Sequence, residues 1–89
     1  MLSWEITAHG RVQGVGFRSF ARMCARKLFI TGYAKNRYDG TVLIIARGDG
    51  ENLKIFCDML RGGNGFSRVS RLEIEEITGA ERYDDFEIR

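Results

Sequence analysis

Residues 10–28, GRVQGVGFRSFARMCARKL, contain the point at which the chain changes its period. Upstream, Leu2, Trp4, Ile6 and Ala8 alternate with Ser3, Glu5, Thr7 and His9, the two-residue repeat of a strand with one buried face. Downstream, Phe17, Phe20, Ala21, Cys24, Ala25 and Leu28 recur at i, i+3, i+4, i+7, i+8 and i+11, the stripe of an amphipathic helix. Gly10, Gly14 and Gly16 lie at the junction beside Arg11 and Arg18. So much bare backbone next to so much positive charge raises the question of an anion, because exposed N–H groups and guanidinium donors converge on phosphate or carboxylate oxygens. A plain glycine-rich turn flanked by arginines is the other reading of the same residues.

Residues 32–38 and 41–47 flank Asp39-Gly40, a dipeptide suited to a two-residue turn between antiparallel strands. Helical spacing returns from residue 51 to 61 through Leu53, Phe56, Cys57 and Leu60, and Gly62-Gly63-Asn64-Gly65 stops it. Leu72 and Ile74 alternate with charged residues, while Val69 and Ile77 are out of phase with them. The pattern predicts a strand with a bulge or twist. Phe86 and Ile88 close the chain as a short strand. Strand, helix, strand, strand, helix, strand, with an extra terminal strand allowed, is an α+β order of the split βαβ kind. Two helices would cover one face of a mostly antiparallel sheet.

The 89 residues, 44% hydrophobic and 29% charged, leave room for one domain, residues 1–89, with a modest core. The longest apolar run, Val42 to Ala46, is too short to cross a bilayer, and Glu5 interrupts the place of a secretory signal. A cytoplasmic protein without membrane attachment is expected. A formal charge of +2 from 14 basic and 12 acidic residues lacks the basic excess of a dedicated nucleic-acid binder.

Two residues invite a chemical role. Arg18 falls in the first turn of the predicted helix, where the macrodipole disfavours a cation by about 0.3 to 1 kcal/mol; a bound anion would reverse that penalty. A solvated arginine is the bland alternative. Asn36 shares a strand face with Gly32 and Ala34, so an amide that both donates and accepts has space beside it. An asparagine favoured near a turn is the competing account.

GRVQGVGFR followed by a helix, together with GYAKNRYDGTV at residues 32–42, resembles the acylphosphatases over essentially the whole chain. The resemblance implies a ferredoxin-like βαββαβ sandwich and hydrolysis of carboxyl phosphates with no metal or other cofactor. It implies that Arg18 binds phosphate with the N–H groups of Gln13, Gly14, Val15, Gly16, Phe17 and Arg18, and that Asn36 positions the attacking water. The partner would be a small acyl phosphate, with inorganic phosphate as product and competitive inhibitor, and the protein a monomer. An acyl phosphate carries a good leaving group, so a strong general base is less necessary than for an unactivated ester. The pattern departs from the family at Ala34, where a larger β-branched residue is common, and at Gly63-Asn64, which replaces a usual proline.

A binding module for RNA or a small regulatory molecule is the alternative. Gly14, Gly16, Phe17 and Phe20 match part of an RNA-stacking motif, but Val15 takes an aromatic position and Gln13 a basic one. That motif needs a strand, whereas these rings open a helical stripe. His9 falls with Glu5 and Thr7 on the solvated strand face. Cys24 and Cys57 lie on helical apolar stripes and are expected buried and reduced. Arg22 and Arg26 read as a charged helix flank.

Overall fold

In the computed structural model, which describes residues 1–79 and 81–89, the alternating N-terminal stretch forms strand β1 (Leu2–Arg11) and the 3.6-residue stripe forms helix α1 (Phe17–Lys27). They are followed by β2 (Thr31–Asn36), β3 (Val42–Gly48), α2 (Gly50–Gly62), β4 (Arg68–Ile77) and β5 (Phe86–Ile88). The strands form a single sheet in the order β4-β1-β3-β2-β5. All neighbours are antiparallel except β2 and β5, which run parallel. The expected α+β sandwich of two helices on a largely antiparallel sheet is therefore present, and the terminal strand completes its edge.

Period decides which face is buried. Ile6, Ala8, Val42, Ile44, Ala46, Ala34 and Phe86 meet Phe17, Ala21, Cys24, Ala25, Leu53, Phe56, Cys57 and Leu60 in one core. Phe56 and Phe86 pack edge to face at 6.1 Å. Each fully buried phenylalanine of this group contributes about 1.5 to 3 kcal/mol relative to exposure. Among the described residues no helix covers the opposite sheet face, which carries polar pairs such as Arg37 with Glu5 at 3.6 Å.

The out-of-phase Val69 has a structural cause. Register shifts between His9 and Gly10, with His9 opposite Arg71 and Gly10 opposite Val69, so Ser70 is the extra residue of a bulge. The bulge returns Val69 to the core side, where it packs against the buried cluster.

The β2–β3 turn differs from the two-residue expectation. Arg37 N–H donates to the Thr41 carbonyl at 2.9 Å and Gly40 N–H to the Arg37 carbonyl at 3.2 Å, leaving Tyr38, Asp39 and Gly40 as a three-residue loop. The Asp39 carboxylate accepts from both the Thr41 N–H at 3.0 Å and its hydroxyl at 2.6 Å. Those side-chain bonds recruit Thr41 into the turn, so β2 ends at Asn36 and β3 begins at Val42.

Candidate active site

Between β1 and α1 the chain bends through residues 13–16, with Gly14 at φ 73° and Gly16 at φ 75°. Gly16 is the N-cap of α1, no side chain caps it, and the first turn holds no acidic residue. The first N–H to return to a main-chain acceptor is that of Phe20, donating to the Gly16 carbonyl at 3.0 Å. Among the described residues, the N–H groups of residues 13–19 have no protein acceptor. An uncapped helix N-terminus preceded by free amides is an electropositive pocket.

Arg18 stands inside that first turn. Its Nη1 donates to the main-chain oxygen of Arg89 at 3.0 Å, which leaves most of the five guanidinium donors free. Asn36 ends β2 on the helix-covered side, opposite Val42. Its Oδ1 is buried and, among the described residues, has no hydrogen-bond partner. Such an atom costs about 1–3 kcal/mol in the absence of a partner. Arg18 and Asn36 line one cleft of about 120 Å³ together with Val12, Gly14, Gly16, Phe17, Ser19 and Ile88. A larger concavity, about 390 Å³, lies at the far end of β1 around Leu2, Arg47 and Arg82. Size does not decide between the two, because the smaller cleft is the one that joins free helix amides, a guanidinium and an orphaned amide oxygen.

The other loop residues divide by role. Phe17 is buried and Val15 packs against the core, so these side chains anchor the loop, and Phe17 also lines the cleft. Gln13 turns its side chain away from the bare backbone. Its Nε2 donates to the carbonyls of Arg37 at 2.7 Å and Thr41 at 2.9 Å, tying the loop to the turn that follows Asn36. This side-chain role is not legible locally: a glutamine beside a glycine turn gives no sign of a bond to residues 24 and 28 positions away.

His9 lies on the helix-free face and pairs with Glu73, which also accepts from Arg71 at 3.1 Å. Arg71 and then His9 hold the Glu73 carboxyl below its usual range. Arg26 is bidentate on Asp85 at 3.1 and 2.7 Å, so this residue of the charged flank ties α1 to the segment that leads into β5. Cys24 and Cys57 are free and buried. Burial raises the Cys24 thiol pKa and pushes that of Cys57 up to about 11. Among the described residues no three His, Cys, Asp or Glu side chains converge as metal ligands. No helix among them is long and apolar enough to cross a membrane. Phe17 and Phe20 both sit on α1, with Phe20 against the core. Their rings thus form no stacking platform on the sheet.

Comparison with known proteins identifies the family. The acylphosphatase family model matches residues 4–88. The chain is 46% identical over 88 residues to an acylphosphatase of Bacillus velezensis, covering 99% of this chain and 98% of that protein. The crystal structure of acylphosphatase from Bacillus subtilis superposes with a TM-score of 0.95 at 40% identity, covering 100% of this chain and 99% of the other. An acylphosphatase structure from Coxiella burnetii gives 0.92 at 36% identity, over 99% and 92% of the two chains. A βαββαβ sandwich with a glycine loop ahead of its first helix is thus the class, and the chain belongs to the acylphosphatase family. It is an enzyme, a hydrolase of acyl phosphates.

Proposed function

We propose that residues 13–18 are the phosphate-binding loop of this hydrolase, that Arg18 grips the phosphoryl oxygens, and that Asn36 holds the attacking water. The observation that carries this reading is the buried, unpartnered Asn36 Oδ1 in the same cleft as Arg18 and the free amides. A water that donates to Oδ1 keeps a lone pair for phosphorus. As the water oxygen bonds to phosphorus, the bond from phosphorus to the acyl oxygen breaks, and the carboxylate leaves with the electron pair. Both water protons go with the phosphate product, which leaves as dihydrogen phosphate and then equilibrates with solvent. Negative charge spreads over the equatorial oxygens, where Arg18 and the loop N–H groups stabilise it. A carboxylate leaving group needs no acid, consistent with a cleft whose lining residues include no carboxylate or histidine.

Inorganic phosphate, sharing the charge and shape of the transferred group, is a competitive inhibitor on this account. The protein acts as a monomer in the cytoplasm, where two buried thiols stay reduced. Hydrolysis of benzoyl phosphate followed in the ultraviolet tests the reaction. Turnover should persist in excess EDTA, fall competitively with phosphate, and exceed that on para-nitrophenyl phosphate by orders of magnitude in kcat/KM. Loss on chelation with restoration by one divalent ion, or equal specificity for the acyl phosphate and the aryl ester, would refute the mechanism.

A further inference from the structure

Asn64 stands outside the cleft, in the loop that follows α2. Its Oδ1 accepts from the N–H groups of Phe66 at 2.9 Å and Ser67 at 2.8 Å, and its own N–H donates to Ser67 Oγ at 3.3 Å. These bonds shape the Asn64 turn itself. The side-chain Nδ2 does something else: it crosses a sequence separation of 49 to donate to the Val15 carbonyl at 2.8 Å.

The Val15–Gly16 peptide is planar and trans, so its carbonyl and its N–H point in opposite directions. Holding the Val15 oxygen on Asn64 turns the Gly16 N–H to the other side, and Gly16 lines the cleft. This peptide is easily reversed. Gly16, at φ 75°, tolerates either sign of φ, so a flip of the unit meets little steric resistance. The flipped peptide would present a carbonyl oxygen where an N–H donor stood, and would repel phosphate.

We propose that Asn64 is a positioning residue of the hydrolase: its Nδ2 keeps the Val15–Gly16 peptide in the orientation that offers the Gly16 N–H to the phosphoryl group. The proposal rests on the phosphate-loop reading above. A neutral hydrogen bond of this kind biases a two-state orientation by about two- to tenfold. Its loss should weaken substrate and inorganic phosphate together.

The test uses N64A, N64D and R18K, with benzoyl phosphate kinetics, inhibition by inorganic phosphate and thermal unfolding. N64D preserves an oxygen acceptor for Phe66 and Ser67 but replaces the donor by a carboxylate that repels the Val15 carbonyl. A residue that merely shapes its own turn would therefore be rescued in N64D. The expected result is a parallel rise of KM and the phosphate inhibition constant, about two- to tenfold in N64A and at least as large in N64D, with N64D melting near the wild type. The N64D defect should survive in roughly 0.5 M salt, which screens simple repulsion between its carboxylate and the substrate. Wild-type constants in N64D, or a defect that salt abolishes, would overturn the proposal. If N64A does not fold, N64D alone decides. R18K separates the two levels: if it is inactive while N64D behaves as wild type, only the role of Asn64 falls; if it is fully active, the phosphate-loop reading falls with it.

Discussion

Arg18 breaks a local rule by placing a cation in the first turn of α1, and Asn36 breaks another by burying an amide oxygen without a partner. On the mechanism proposed above, one event would relieve both violations: the arrival of a phosphoryl group with its attacking water. The two side chains should fail differently. Arg18→Lys keeps the charge but loses the planar fork, so kcat/KM on benzoyl phosphate should drop by about 10²-fold or more, with weaker inhibition by phosphate. Asn36→Ala leaves the loop and guanidinium in place. Its kcat should fall by about 10²-fold while the phosphate inhibition constant stays within about threefold of wild type. Because Oδ1 has no partner to lose, thermal stability of Asn36→Ala should be equal to or above that of the wild type. A folded Asn36→Ala enzyme with normal turnover would remove the water-holding role.

Two strands at the sheet edge set the frame for the cleft. Gly32, in β2, adopts φ 139°, and a Cβ there would lie 1.8 Å from the Ile45 carbonyl oxygen of β3. Main chain cannot yield as a flexible side chain does. Gly32→Ala should therefore destabilise by about 3 kcal/mol or more, read as a large fall in urea midpoint or as failure to fold. On the other side of β2, the three-residue β5 is held by the Gly32 N–H to the Asp85 carbonyl at 3.0 Å, the Arg89 N–H to the Ala34 carbonyl at 2.8 Å, and the Arg26–Asp85 clasp. That docking also delivers the Arg89 oxygen to Arg18. Arg26, and after it the Phe86 N–H, hold the Asp85 carboxyl below its usual range. A carboxyl with a folded pKa below its unfolded one contributes stability above the unfolded value and loses it as pH falls through the folded value. The melting temperature should thus decline in acid as pH drops below about 4, and Asp85→Asn should melt lower than wild type at neutral pH with a shallower acid decline. Equal acid slopes in the two proteins would show that the clasp does not contribute.

At the scale of the molecule, the two helices shield both thiols under a single core. With the Cys57 pKa at about 11, thiolate is scarce as well as inaccessible at neutral pH. Labelling by a disulfide reagent should be negligible in the native state, then appear at both cysteines together along the denaturation curve; fast labelling of one thiol in native protein would contradict the shared core. Much of this architecture was legible because burial writes a period into the chain. Alternation at Leu2 to Ala8 and the 3.6-residue stripe from Phe17 specify strand and helix locally, and the glycines at the switch, with no acid after them, mark an electropositive helix start. The phase slip at Val69 even announced the bulge. Other features have no local trace: the three-residue turn depends on Asp39 bonding Thr41, β5 has too few residues to reveal its parallel pairing, and the bonds from Gln13 and Asn64 span distant segments. By itself, then, the sequence determined the order of elements and which face of each is buried, since those follow from side-chain periodicity over a few turns. Only the tertiary structure decided that Arg18 and an unpartnered Asn36 line one cleft, and which distant side chains brace its loop, because which surfaces meet is settled by long-range packing and hydrogen bonding rather than by neighbours along the chain.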